Sequence, residues 1–177
     1  MKNKFTILFL ALYFSSCVNV TQNTETKIVN DKAEYVMEEL TVTDWGIETI
    51  YPKGWKVTTD SNGVLIEMPK EFPSSFPMQA GYQISRYFPE EMDEDIIIST
   101  REFLNSQNIS ILKDSSFIDN DQQCHLFEME IVKNDTTLSS LIYYRKRDKD
   151  MLRMNFTYIE NYSDMYLMFN HIWKTTK

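Results

Sequence analysis

Residues 45–55 read WGIETIYPKGW. Trp45, Ile47, Thr49 and Tyr51 alternate with Gly46, Glu48 and Ile50, the period-two pattern of a strand with one face toward a core. Pro52-Lys53-Gly54 then turns the chain, because proline fixes its own φ and glycine is free to take a positive one. Residues 55–59 start a second strand, and Trp55 is expected to drop into the core as these two strands pair.

Reading outward toward the C-terminus, Ser61-Asn62-Gly63 is a hairpin signal. After it Val64, Ile66 and Met68 point one way and Leu65 and Glu67 the other. Residues 69–78 hold three of the five prolines and read as a loop. Residues 79–88 form a long strand with Tyr82, Ile84 and Phe88 on one face. The acids Glu90, Glu91, Asp93, Glu94 and Asp95 crowd the next helix start, where the dipole favours negative charge. Ile96, Thr100, Phe103, Leu104 and Gln107 make its stripe.

Four strands are expected next. The first spans residues 109–117, and Asp119-Asn120-Asp121 turns it into the second, where His125, Phe127, Met129 and Ile131 share a face. Asn134-Asp135 leads into residues 137–146. Leu152, Met154, Phe156 and Tyr158 then alternate with Arg153, Asn155 and Thr157. A closing helix, capped by Asn161 or Ser163, buries Met165, Met168, Phe169 and Ile172, with Trp173 flanking. Residues 33–42 are ambiguous between helix and strand. Strands mixed with two helices in this order indicate an α+β domain, an antiparallel-rich sheet flanked by helices.

Reading toward the N-terminus, residues 18–32 are polar, without a clear apolar period, and read as a flexible tether. Before them lies MKNKFTILFLALYFSSC, with basic Lys2 and Lys4, a mainly apolar run over 5–14, two small residues and a cysteine. A ten-residue helix rises about 15 Å, half of the ~30 Å hydrocarbon core, so this is an export signal rather than a spanning segment. The stretch resembles a bacterial lipoprotein signal peptide with Phe14-Ser15-Ser16-Cys17 as its lipobox, although Phe14 stands where such sequences prefer Leu, Val or Ile. The resemblance implies cleavage after residue 16 and a palmitate-type lipid on Cys17. Two or three acyl chains, at ~0.8 kcal/mol per buried methylene, hold where one is marginal. The expected division is a signal at 1–16, a lipidated cysteine and tether at 17–33, and one domain at 34–177.

The formal charge of the chain is −8, and loss of residues 1–16, with two lysines and no acids, takes it to −10. Such a body repels nucleic acid and anionic membrane surfaces. With Cys17 lipidated, Cys124 is the other of the chain's two cysteines, so no internal disulfide is available. Cys124 reads as a small buried hydrophobe.

Gly46-Ile47-Glu48-Thr49-Ile50-Tyr51-Pro52-Lys53-Gly54-Trp55 also resembles the opening of PsbP-like domains, a superfamily that includes DcrB-like bacterial lipoproteins. The later order of helix, turn, strands and closing helix over about residues 42–177 agrees. The resemblance implies an α/β/α sandwich around an antiparallel sheet and no single activity, since members include photosystem accessory subunits and import factors.

The residues that carry chemistry are sparse. Cys124 and His125 are neighbours on a strand and so face opposite ways. His171 lies near a helix C-terminus, where a structural role suffices. No zinc-ligand spacing is present, and Asp119-Asn120-Asp121 lacks the glycine and bidentate glutamate of a calcium loop. Arg145-Lys146-Arg147 reads as a solvated hairpin tip. Neither metal nor cofactor is implied. Phe72 and Phe76, on the proline loop, are candidate partner-binding residues.

The expectation is a non-enzymatic accessory or protein-binding domain, tethered by Cys17 to the cell membrane or outer membrane and facing the periplasm or the cell surface. Its partner would be another envelope protein. The alternative is a carrier of a small apolar ligand in a pocket between sheet and helix.

Overall fold

The computed structural model describes residues 20–29, 34–60, 63–69, 79–88, 96–133, 136–159 and 165–177. The chain runs β1 (Val20–Val29), β2 (Glu34–Val42), a single 3-10 turn (Thr43–Trp45), β3 (Ile47–Pro52), β4 (Lys56–Asp60), β5 (Gly63–Glu67) and β6 (Ala80–Tyr87). Then come α1 (Ile96–Ser106), β7 (Ser110–Asp119), β8 (Gln122–Lys133), β9 (Thr136–Lys146), β10 (Met151–Ile159) and α2 (Met165–Thr175).

All neighbouring strands are antiparallel. One sheet has three strands in the order β1-β2-β3, and the other has seven in the order β4-β5-β6-β10-β9-β8-β7. The larger sheet is two meanders set side by side, joined where β6 pairs with β10, for example Tyr82 with Phe156. α1 connects the meanders.

Period-two alternation gives the seven-stranded sheet two apolar faces. Leu141, Tyr143, Leu152, Met154 and Phe156 turn to the face covered by α2 and the three-stranded sheet. Phe127, Met129, Ile142 and Tyr144 turn to the opposite face, under Leu104, Ile96 and Ile97 of α1. One helix therefore lies on each face, but α2 shares its face with a whole second sheet. The architecture is sheet-dominated rather than a balanced α/β/α sandwich.

Phe169 of α2, fully buried, sits 4.9 Å from Phe156, 6.0 Å from Tyr158 and 6.3 Å from Tyr82, ring centre to ring centre. A fully buried side chain of this size contributes about 1.5–3 kcal/mol. The last residues tie the helix to the smaller sheet. Thr49 and Thr176 hydroxyls meet at 2.8 Å in the interior, and Glu48 and Lys177 exchange backbone bonds of 3.2 and 2.9 Å.

The alternation of Ile47, Thr49 and Tyr51 holds, with all three buried. The expected pairing across Pro52-Lys53-Gly54 does not. Gly54 takes φ +85° and Trp55 N–H donates to the Pro52 carbonyl at 3.1 Å, so a tight turn forms. Yet β3 pairs with β2 and β4 with β5. The turn steers the chain from one sheet to the other. Trp55 is consequently half-buried, its ring edge-on to Phe169 at 6.4 Å.

Residues 34–42, ambiguous in sequence, form β2. Residues 20–29, read as tether, form β1 along it. Val20, Thr21, Thr24, Thr26, Ile28 and Val29 are β-branched, and that propensity acts once a neighbouring strand is available. In α1, Phe103 is 60% exposed, because the buried stripe runs through Ile97 and Leu104 and leaves Phe103 at its margin.

Candidate functional site

The β7–β8 hairpin carries a side-chain grouping of chemical interest on each of its faces. Asn120 and Asp121 both have positive φ, 49° and 61°, so the two-residue turn is of the I′ type that matches strand twist. Asp119-Asn120-Asp121 is therefore a plain hairpin turn. Asp119 pairs with Gln122, and the register continues Phe117–Cys124, Ser116–His125 and Ser115–Leu126. β7 is the outer strand of the sheet among the described residues.

On the α1 face, three side chains line up. Ser116 Oγ lies 2.8 Å from His125 Nδ1, and His125 Nε2 lies 2.8 Å from Asp114 Oδ1. Arg101 of α1 completes the line with bonds of 2.5 and 3.0 Å to the two Asp114 oxygens. Arg101 is the main reason the Asp114 carboxyl is held below the usual range, with His125 adding to it. With the proton on Nε2, His125 donates to Asp114 and accepts the Ser116 hydroxyl proton. Hydroxyl, imidazole and carboxylate in that order form a nucleophile with its base when an oxyanion site faces them. Here the carboxylate charge is taken up by Arg101, and the line satisfies both nitrogens of a buried imidazole and pins α1 to the hairpin.

Cys124 faces away from His125, as neighbours on a strand must. It is buried, and burial pushes its thiol pKa up.

The α2 face holds a groove. Trp173 stacks on Tyr143 at 4.6 Å, and the Arg145 guanidinium lies 4.2 Å from the Trp173 ring centre. Tyr143 Oη donates to Asn170 Oδ1, and Asn170 Nδ2 donates to the Tyr166 carbonyl at 3.0 Å. Burial raises the Tyr143 pKa and keeps the phenol a donor. Tyr143, Tyr166, Asn170 and Trp173, with Phe117 and Leu126 of the hairpin, wall an open cleft of about 320 Å³. Lys113 and Lys174 stand at its rim, exposed, with no ion-pair partner among the described residues.

Arg145 is the residue that sequence reading placed wrongly. It is 3% exposed and not part of a solvated tip. Its guanidinium donates to the Thr176 carbonyl at 2.5 Å, to Asp119 at 2.9 Å and to the Trp173 carbonyl at 3.4 Å. It thus caps the C-terminal carbonyls of α2, where positive charge is favoured. Arg147 is likewise engaged, forked onto the buried Asp150 at 2.6 and 2.7 Å, so Lys146 alone of the three is exposed. The signal was present in the alternation, since Arg145 falls on the face of Leu141 and Tyr143.

His171 is exposed. Cys17, Phe72 and Phe76 lie outside the described residues, as do the acids of 90–95. Among the described residues no cluster of three or more His, Cys, Asp or Glu side chains could hold a metal ion. No helix among them is long and apolar enough to cross a membrane.

Two antiparallel sheets, with one helix on each face of the larger sheet and the closing one of the two against β3, give a PsbP-like fold. The chain superposes on cyanobacterial PsbP (CyanoP) from Synechocystis sp. PCC 6803 with a TM-score of 0.60 at 9% identity, covering 85% of this chain and 96% of that one. A Pseudomonas aeruginosa protein of unknown function, described as a putative regulator, aligns with a TM-score of 0.49 at 13% identity over 86% of this chain and 96% of its own. A Bacteroides thetaiotaomicron structure gives 0.46 at 14% identity, over 74% of this chain and 44% of that chain. No protein-family model matches the chain, and no curated protein does.

Proposed function

We propose that this chain is a lipid-anchored envelope protein whose PsbP-like domain binds another envelope protein and catalyses no reaction. The observation that supports binding is the groove between the β7 edge and α2. It is open and lined by Phe117, Tyr143, Tyr166 and Trp173, with two exposed lysines, Lys113 and Lys174, that have no ion-pair partner among the described residues, a mixture suited to a protein surface. The anchor rests on Phe14-Ser15-Ser16-Cys17. Tethering holds the domain at high local concentration near its partner, so a modest interface suffices.

A second reading, a carrier for a small apolar ligand, draws on the same groove because it lies between sheet and helix. Its openness and its two lysines favour the first reading, since carriers enclose most of a ligand's surface.

The anchor is tested by growth with an alkyne fatty acid. The wild type should label and fractionate with membranes, and Cys17→Ala should do neither. Equal labelling of the two would remove the anchor from the account. Ester, phosphate or glycoside turnover that disappears in both Ser116→Ala and His125→Ala would overturn the non-enzymatic reading.

A further inference from the structure

We propose that the outer edge of β7 is a docking rail for an extended, acidic-flanked apolar segment of the partner, which adds to the seven-stranded sheet as an eighth strand. This rests on the protein-binding reading and specifies its surface and its chemistry.

The hairpin geometry assigns which backbone groups are free. In a two-residue turn the closing pair, Asp119 with Gln122, carries the turn's hydrogen bond. Bonded pairs recur every second residue in an antiparallel ladder. Phe117 and Ser115 therefore direct their N–H and C=O toward β8. Asp114, Ser116 and Ile118 direct theirs outward, where no strand lies among the described residues. The register shift between Ile111 and Lys113 is a bulge that spoils pairing nearer the strand start. The usable rail is thus 114–118.

Side chains set the occupant. Residues of an added strand that stand opposite Ser115 and Phe117 share their face and overhang the groove. The cleft, about 320 Å³, is at the small end for ligand sites, which span about 300–1,000 Å³. It suits one large apolar side chain against Phe117, Tyr166 and Trp173. Lys113 and Lys174 flank that position with positive charge that no described residue pairs, in a chain whose net charge is −8. Carboxylates on either side of the apolar residue complement them. On the other flank Ile118, 66% exposed, offers a second apolar contact.

The test uses the full-length chain and two fluorescein-labelled peptides. Each alternates threonine with a groove-facing series, glutamate–phenylalanine–glutamate in one and lysine–phenylalanine–lysine in the other. Anisotropy should show the acidic peptide binding at least about tenfold tighter, an energy of one good charged contact. Ile118→Pro removes an outward N–H that β8 does not use, and should weaken the acidic peptide by about tenfold or more. Lys113→Glu with Lys174→Glu, at exposed positions, should reverse the preference between peptides. Amide exchange at Asp114, Ser116 and Ile118 should slow on binding.

No binding by either peptide, equal binding of both, or an unaffected Ile118→Pro variant would overturn the proposal. So would a dimer in sedimentation velocity that Ile118→Pro dissolves, because the rail would then serve a second copy of this chain. If the peptides fail while envelope crosslinks form from another face, the binding function stands and this surface falls.

Discussion

Replacing Arg145 by methionine removes a buried guanidinium while keeping most of its volume, so the cavity contribution is small. The lost contacts are the bond to Asp119, those to the Thr176 and Trp173 carbonyls, and the cation over the Trp173 ring. Breaking one half of a buried charge pair costs about 3–5 kcal/mol, mainly from the partner left behind. The Asp119 side chain is 25% exposed and recovers some hydration, which lowers the expectation to about 2–4 kcal/mol. At ~2–4 °C per kcal/mol for a domain of this size, the melting temperature should fall by roughly 5–15 °C. Adding Asp119→Asn to Arg145→Met should recover part of the loss, since no unpaired charge then remains. Urea and thermal unfolding of the four proteins in the cycle would measure this. A single variant within about 0.5 kcal/mol of wild type, or a double variant no better than the single, would refute the role given to Arg145.

Two further outcomes follow from the hairpin. Cys124 in a Cys17→Ser background should react with a thiol reagent only on unfolding, because burial raises its pKa and shields it; rapid labelling of the folded chain would place it at the surface. Asp114 has a depressed folded-state pKa, so its contribution is present above the unfolded value of about 3.9 and is lost as pH falls through the folded one. The stability gap between wild type and Asp114→Asn should therefore be full at neutral pH and close in acid below about pH 4; a gap independent of pH would sink the Arg101–Asp114–His125 arrangement.

The sequence carried the strands whose apolar residues alternate without interruption. Val64, Ile66 and Met68, Leu152 to Tyr158, and the α2 stripe all lie where period alone puts them. It did not carry sheet membership. Pro52-Lys53-Gly54 has the chemistry of a tight turn, and such a turn serves a hairpin or a sheet crossing equally well. Only the partner of β3, itself in a segment ambiguous between helix and strand, decides between them. β1 was hidden for a related reason, since residues 20–29 are largely polar and carry no clear apolar alternation from which a strand could be read. The groove was illegible because its walls come from β7, β8, β9 and α2, brought together by strand order rather than by spacing. Arg145 shows the limit most clearly. Residue type argued for solvent and alternation argued for the interior, and alternation prevailed because the α2 carbonyls and Asp119 satisfy the charge.

The most direct measurement is photocrosslinking in cells, with a photoreactive residue placed at Ile118 on the β7 edge or at Lys56 on the opposite edge strand, in the wild-type and Cys17→Ala backgrounds. The account predicts a discrete adduct with one envelope protein from position 118, none from position 56, and loss of the adduct without the anchor. Adducts equally strong from both edges, or none from position 118 in the anchored chain, would contradict it.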